Sequence, residues 1–252
     1  MLGIKDFSFS YQKGRKEQVD VLDSINLSVR NHEFLSIVGP SGCGKTTLLY
    51  SISGLVGGGD GEIKFNDTKH KNRYQNISTV FQENNLFPWR NVLGNVSYGL
   101  EIQGKGKQDG FVKKLIRTVG LEGFEKFYPH QLSGGMKQRV NLARALATDP
   151  SLILMDEPFA SLDYQTRELM QEELLKIWTK NKKTVIFVTH QINEAIYLSD
   201  RVVVFSKRPA KIKKIINVNL PRPRSLEIKT SKAFVALEKS IWNTVIEEAR
   251  NE

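Results

Sequence analysis

The stretch GPSGCGKTT, residues 39–47, decides the architecture of this chain. It meets the pattern Gly-x4-Gly-Lys-Ser/Thr. The five residues before it, FLSIV, form an apolar run of strand length, and Leu48, Leu49 and Ile52 after it fall at helical spacing. A strand that feeds a glycine loop and then a helix leaves free backbone N–H groups at the positive helix end. Gly39, Gly42 and Gly44 allow that backbone to curl round a phosphate, with Pro40, Ser41, Cys43 and Thr47 completing the loop. Lys45 brings a point charge to the β- and γ-phosphates, and the Thr46 hydroxyl is a ligand for Mg²⁺. Cys43 reads as a small filler; were its thiol open, alkylating it would block nucleotide binding.

Working outward, the first thirty residues show a strand-like pattern, with Ile4, Phe7, Phe9 and Tyr11, a polar turn, then Val21, Ile25, Leu27 and Val29. A flexible turn around GGGDGEIKFND leads into a short strand bearing Ile63 and Phe65, and residues 78–81 make another. From about 83 to 150 only helical segments are expected, among them 110–119. Strands return at 152–155, 185–189 and 202–205, with Met170, Leu174, Ile177 and Trp178 on one face of a helix between them. Buried strands alternating with amphipathic helices predict a parallel α/β sheet into which a helical segment is inserted. Near the end, Phe234, Leu237, Ile241 and Val245 predict one more amphipathic helix.

Other residues gather chemistry at the same sheet edge. Asp156 and Glu157 follow the apolar run SLILM, at the carboxyl end of a strand, where ligands bind in open α/β sheets. Asp156 is placed to reach Mg²⁺, and Glu157 to orient or deprotonate an attacking water. The plainer reading is an acidic pair at a helix start, with Pro158 ending the strand. His190 closes VIFVTH and Gln82 closes STVFQ at equivalent positions. Gln82 has an amide that can ligate Mg²⁺ or hold water; read alone, that role and an ordinary polar loop residue stand about equal. A second anion site is written in LSGGMKQR, residues 132–139. Ser133, Gly134 and Gly135 stand where a helix begins, since Val140, Ala143, Leu146 and Ala147 follow at its spacing. A glycine inside a helix costs roughly 1 kcal/mol relative to alanine, so a pair is poor filler.

Composition narrows the class further. The chain has 252 residues, enough for one large domain or two intimately packed ones, and a formal charge of +10. That charge admits a nucleic-acid partner, anionic lipid or a solvated face; its densest part is 206–224. Lys5 and Asp6 interrupt any leader-like apolar stretch, so no secretory signal is expected, and the longest apolar runs are far too short to span a bilayer. A single cysteine excludes an intrachain disulfide and fits a reducing cytosol.

Taken in order, Tyr11, GPSGCGKTT, Gln82 in VFQE, LSGGMKQR, LILMDEP, SLD at 161–163 and THQ with His190 resemble the nucleotide-binding subunits of ABC transporters. The resemblance covers residues 1 to about 225. It implies a P-loop NTPase (RecA-like) parallel core sheet at about 1–85 and 150–225, an N-terminal antiparallel β part, a helical insertion at about 86–149 and a helical extension at 226–252. It implies ATP and Mg²⁺ as ligands, the latter at Thr46, Gln82 and Asp156. It implies a head-to-tail dimer in which Ser133, Gly134 and Gly135 of one copy complete the other's ATP site, and Asp163 contacts the partner's phosphate loop. Tyr11 would stack on adenine, His190 would hold the γ-phosphate, and Gln82 would couple occupancy to two transmembrane subunits served by an external solute-binding protein.

The segments LFPWRNVLGNVSYGL and NVNLPRPRS are similar to importers of nitrate, sulfonates, taurine and related solutes. Leu86, Phe87 and Trp89 would line a groove for a helix of the membrane partner, or else pack inside the insertion. Two departures bear on the subfamily: NHEF stands where Gly-Glu is usual, and Gln191 where Asp is frequent. The expected place of work is the cytoplasmic face of a membrane, without nucleic acid. An export or lipid-handling ABC ATPase, or a soluble one acting on nucleic acid or ribosomes, are the alternatives.

Overall fold

The computed structural model describes residues 1–13, 17–65, 76–83, 85–105 and 108–250. It forms two compact units: Met1–Tyr74 with Lys182–Glu252, and Gln75–Asn181.

In the first unit, β1 (Leu2–Lys13) lies between β2 (Glu17–Val29) and β4 (Asp60–Phe65) in an antiparallel sheet. Ile4 and Phe7 break a strict period of two, yet both are buried, because register shifts separate them and Asp6 adopts φ 45°. Ser24 on β2 has φ 51°, and Asn26 exchanges hydrogen bonds with Asp6 at 2.8 and 3.0 Å across the irregularity. Residues 14–16 of the predicted polar turn lie outside the described residues, as do 66 and 67 of GGGDGEIKFND.

The second sheet of this unit has β3 (Phe34–Val38) between β7 (Thr184–Val188) and β8 (Arg201–Phe205), both parallel to it. All residues of β3 and β7 are buried, as strands covered on both faces must be. A further strand, β9 (Ile212–Asn217), runs antiparallel to β8 and was not expected. Only Ile216 is buried there, and Lys213 and Lys214 face outward, the composition of an edge strand protected against stray pairing. Much of the basic 206–224 stretch is spent internally: Lys211 pairs with Asp23, Lys213 with Glu248 and Arg222 with Asp200. Helices α1 (Lys45–Ser53), α6 (Ile192–Leu198) and α7 (Lys232–Arg250) complete the unit. Of the predicted stripe of α7, Phe234 and Ile241 are buried and Leu237 and Val245 half-buried, and the helix packs on α6.

In the second unit, β5 (Ile77–Val80) pairs parallel with β6 (Leu152–Asp156), so Phe81 lies beyond the strand expected to contain it. The helices are α2 (Val92–Ile102), α3 (Asp109–Thr118), α4 (Gly134–Ala147) and α5 (Tyr164–Asn181). Between 85 and 150 the described residues contain no strand. The helix α2 starts where Asn91 accepts the Gly94 N–H at 2.8 Å, and it buries Val92, Val96 and Leu100 at four-residue spacing. Met170, Leu174, Ile177 and Trp178 are all buried on α5.

The NHEF departure has a structural account. His32 adopts φ 60°, in the region that favours glycine, and its N–H is held by Thr184 Oγ1 at 2.9 Å while its ring meets the Lys182 carbonyl. Glu33 is retained and pairs with Arg201 at 3.0 Å, their side chains only 5% and 11% exposed. Removing one partner of a buried pair strands the other charge. Arg201→Met is expected to destabilise by about 3 kcal/mol; an unchanged urea midpoint would refute this role.

Candidate functional site

In the first unit the phosphate loop rises from β3 and ends where α1 begins. Gly44 caps α1 with φ 117°, and a Cβ there would lie 2.8 Å from Val21 Cγ1 and 3.0 Å from Leu22 Cδ2. The close approach of β2 to the loop therefore excludes any side chain at this position. Lys45 is 5% exposed, and its Nζ donates to the carbonyls of Gly39 at 3.0 Å and Pro40 at 2.9 Å. The ammonium is thus held against the loop it serves, while Ser41, Gly42 and Thr46 are exposed. Thr47 is buried.

Cys43 corrects the idea of an open thiol. It is buried, and loss of hydration pushes its thiol pKa up, outweighing the nearby Lys45 ammonium. Iodoacetamide at neutral pH is expected to modify Cys43 at least 100-fold more slowly in the native protein than in urea, the thiolate being the reactive form. Equal rates would show that the loop opens freely.

His190 leaves β7 at the end where the phosphate loop leaves β3. Ile37 and Val188 are paired, and Thr189 N–H donates to the Ile37 carbonyl at 3.3 Å. The imidazole is exposed and faces a groove of about 480 Å³ whose other wall is Val235, Glu238 and Trp242 of α7. Tyr11 stands on β1 opposite Val19. Phe9 could compete for a base-stacking role by sequence, but Phe9 is buried and Tyr11 is 43% exposed, with its ring edge-on to Phe9 at 4.9 Å. Of the two, Tyr11 is the one accessible to a base.

In the second unit, Val80 is paired with Met155, so Gln82 and the two carboxylates emerge at one end of β5 and β6. Asp156 is buried and Glu157 half-buried. Glu157 adopts φ 43°, a conformation costing about 1–3 kcal/mol for a residue with a side chain, seen where a site demands it. The turn is fixed by the Ala160 N–H on the Glu157 carbonyl at 3.1 Å and by buried Pro158 and Phe159. Gln82 is exposed.

The same unit brings LSGG and SLD together. Ser133 caps α4, accepting the Met136 N–H at 3.3 Å, and Gly134 and Gly135 form the first two helical positions. A Cβ on Gly135 would come 3.0 Å from Thr166 Cγ2, so α4 packs tightly on the first turn of α5 there. Asp163 caps α5 through the Thr166 N–H at 3.0 Å, and that bond is the main reason its carboxyl titrates below the usual range. Two helix N-termini with exposed capping residues thus stand side by side.

The 86–89 segment is divided between packing and exposure. Phe87 packs on Tyr98 of α2 with ring centroids 4.5 Å apart, whereas Trp89 is 72% exposed. Asn95, fully buried, props the segment by donating to the carbonyls of Phe87 and Arg90 at 3.2 and 2.9 Å and accepting the Phe87 N–H at 2.8 Å. The sequence reading missed this support, and also Arg222 and Arg224, whose bonds depend on carbonyls brought near them by folding.

Comparison with known proteins identifies the family. Residues 22–160 match the family model described as ABC transporter. An uncharacterized ABC transporter ATP-binding protein of Methanocaldococcus jannaschii, MJ0412, is 53% identical over 92% of this chain and 86% of its own length. The aliphatic sulfonates import ATP-binding protein SsuB of Bacillus cereus is 46% identical over 92% of this chain and 90% of its own. Among solved structures, the dimeric ATP-binding cassette MJ0796 in a post-hydrolysis state, bound to ADP and Pi, superposes with a TM-score of 0.77. The match has 31% identity and covers 88% of this chain and 100% of that one. The chain belongs to the ABC transporter family and is an ABC-type ATPase with the α/β fold of such cassettes.

Gly44→Ala is expected to weaken ATP binding more than ten-fold, because the loop must shift to relieve both the backbone strain and the Val21 contact. Titration with a fluorescent ATP analogue checks it, and wild-type affinity would contradict the assignment.

Proposed function

We propose that this chain is the ATP-hydrolysing subunit of a membrane importer for a small anionic or organic solute of the sulfonate, taurine or nitrate kind. It works at the cytoplasmic face as a head-to-tail dimer beneath two transmembrane subunits, fed by an external solute-binding protein. Residues 1–225 act as one ATPase domain, with core parts at about 1–85 and 150–225, a helical insertion at about 86–149, and 226–252 as a helical extension. The observation that carries the reading is the capped start of α4 at Ser133, Gly134 and Gly135: an anion site separate in sequence from the phosphate loop. The sulfonate-importer name of the Bacillus cereus relative supports the substrate class, and the dimeric neighbour supports the assembly. Among the described residues no helix is long and apolar enough to cross a membrane, which agrees with a peripheral subunit joined to separate permeases.

Each residue then has a task. Tyr11 stacks on adenine. The backbone N–H groups of 39–47 and Lys45 hold the β- and γ-phosphates, and Ser133, Gly134 and Gly135 of the partner copy meet the γ-phosphate from the other side. Glu157 takes the proton of the attacking water, and His190 holds the γ-phosphate as charge shifts onto it. Asp163 meets the partner's loop, and Gln82 reports occupancy to the membrane subunits. The exposed Trp89 with Phe87 and Leu86 docks a short helix of those subunits. By residue type, the Thr46 hydroxyl, the Gln82 amide and the Asp156 carboxylate are the groups that would hold Mg²⁺. When bound, the ion would neutralise phosphate charge. Closing on two ATP molecules and reopening after hydrolysis is a population shift driven by tighter binding to the closed pair.

Glu157→Gln is expected to keep ATP binding, lose at least 100-fold in turnover and accumulate an ATP-bound dimer. Steady-state hydrolysis and size-exclusion chromatography with MgATP check this; normal turnover would remove Glu157 from its role.

A further inference from the structure

Arg224 is 5% exposed, yet its guanidinium is almost wholly engaged by main-chain carbonyls. Nη1 donates to Ile196 at 2.9 Å, Tyr197 at 2.9 Å and Ser199 at 2.8 Å, and Nη2 to Val218 and Leu220 at 3.4 Å. Arg222 donates through Nη2 to the Leu198 carbonyl at 2.7 Å and holds Asp200 Oδ1 through Nε and Nη2 at 3.0 and 2.8 Å. A helix cannot bond its own last four carbonyls. In α6 the Ser199 N–H takes that of Ala195 at 3.1 Å, and the two arginines take those of Ile196, Tyr197 and Leu198. The negative end of α6 thus meets two positive charges. Burial lowers the Arg224 pKa to about 10, with the Arg222 charge acting in the same direction. A buried cation is a poor means of adding bulk stability, so its retention points to a specific geometry.

That geometry reaches His190. At the other end of α6, Thr189 Oγ1 donates to Glu194 Oε2 at 2.6 Å and accepts the Gln191 N–H at 3.0 Å. His190 is therefore suspended between two residues tied to the first turn of α6. Asp200 also exchanges bonds with the backbone of Phe34, which opens the strand leading to the phosphate loop: Phe34 N–H to Oδ2 at 2.9 Å, Asp200 N–H to the Phe34 carbonyl at 2.7 Å.

We propose that Arg224, aided by Arg222, is a positioning residue for ATP hydrolysis, gripping the C-terminal carbonyls of α6 and so setting the turn that presents His190. The proposal rests on the reading of His190 as the γ-phosphate contact. Lysine in place of Arg224 keeps the charge but loses the planar fork that reaches several carbonyls together. In the full chain, Arg224→Lys is expected to lower kcat for MgATP about ten-fold while leaving KM, and affinity for a fluorescent ATP analogue, within two-fold. Because the effect runs through His190, the double variant Arg224→Lys/His190→Ala should turn over as fast as His190→Ala alone. A purely structural residue would instead multiply its loss onto that of His190→Ala. Multiplied losses, or a kcat for Arg224→Lys within two-fold of wild type, overturn the proposal. Wild-type turnover in His190→Ala refutes the underlying reading of His190 instead, and removes the target of the clamp with it. Should Arg224→Lys fail to fold, Arg222→Lys enters the same cycle with the same expected outcomes.

Discussion

A helix cannot satisfy the N–H groups of its own first turn, and this protein places three such turns where small or polar residues leave them open. In the first unit α1 starts behind Gly44; in the second α4 starts behind Ser133 and α5 behind Asp163. Each start is made rigid from behind. Val21 and Leu22 press on Gly44, Thr166 lies against Gly135, and Leu162 approaches Gly134 at 3.9 Å from where a Cβ would stand. An anion site built from backbone must be preorganised in this way, because amides free to turn would solvate themselves. Strands β3 and β6 each end a short loop before one of these helices, α1 and α5.

Charge is buried sparingly, and wherever it is buried it is tied to geometry. Lys45 is fastened to the carbonyls of its own loop, Glu33 to Arg201, and Arg224 to the end of α6. A buried charge adds little net stability once its lost hydration is counted, although removing one partner of a buried pair is costly. Lys45 holds its own loop, the Glu33–Arg201 pair ties the starts of β3 and β8 together, and Arg224 holds the end of α6. Glu157 follows the same logic through its backbone, a positive φ in a residue that resists it, kept by the buried Pro158 and Phe159 beside it.

The strand–loop–helix order around 39–47, the helical character of 86–150 and the carboxylates after β6 were legible in the sequence because each depends on local spacing. A run of five apolar residues, a glycine pair or a stripe at i, i+3, i+4 has the same meaning wherever the chain later goes. The strand β9 escaped notice since KIKKIIN buries only Ile216. The breaks in β1 looked like imperfect alternation, whereas in the fold they are bulges that bury both Ile4 and Phe7.

What the sequence determined by itself was the set of chemical groups and the strand and helix ends that carry them, because residue type and period act within a few positions of each other. The tertiary structure decided which aromatic stays exposed, Tyr11 rather than Phe9, that the Cys43 thiol is shut away, and which carbonyls the arginines of the basic tail hold. Those outcomes depend on atoms far apart in the chain, such as Arg224 and the carbonyl of Ile196, twenty-eight residues earlier. Only burial can settle them, because it removes water as the competing partner and leaves each polar group whichever neighbour the fold has placed beside it.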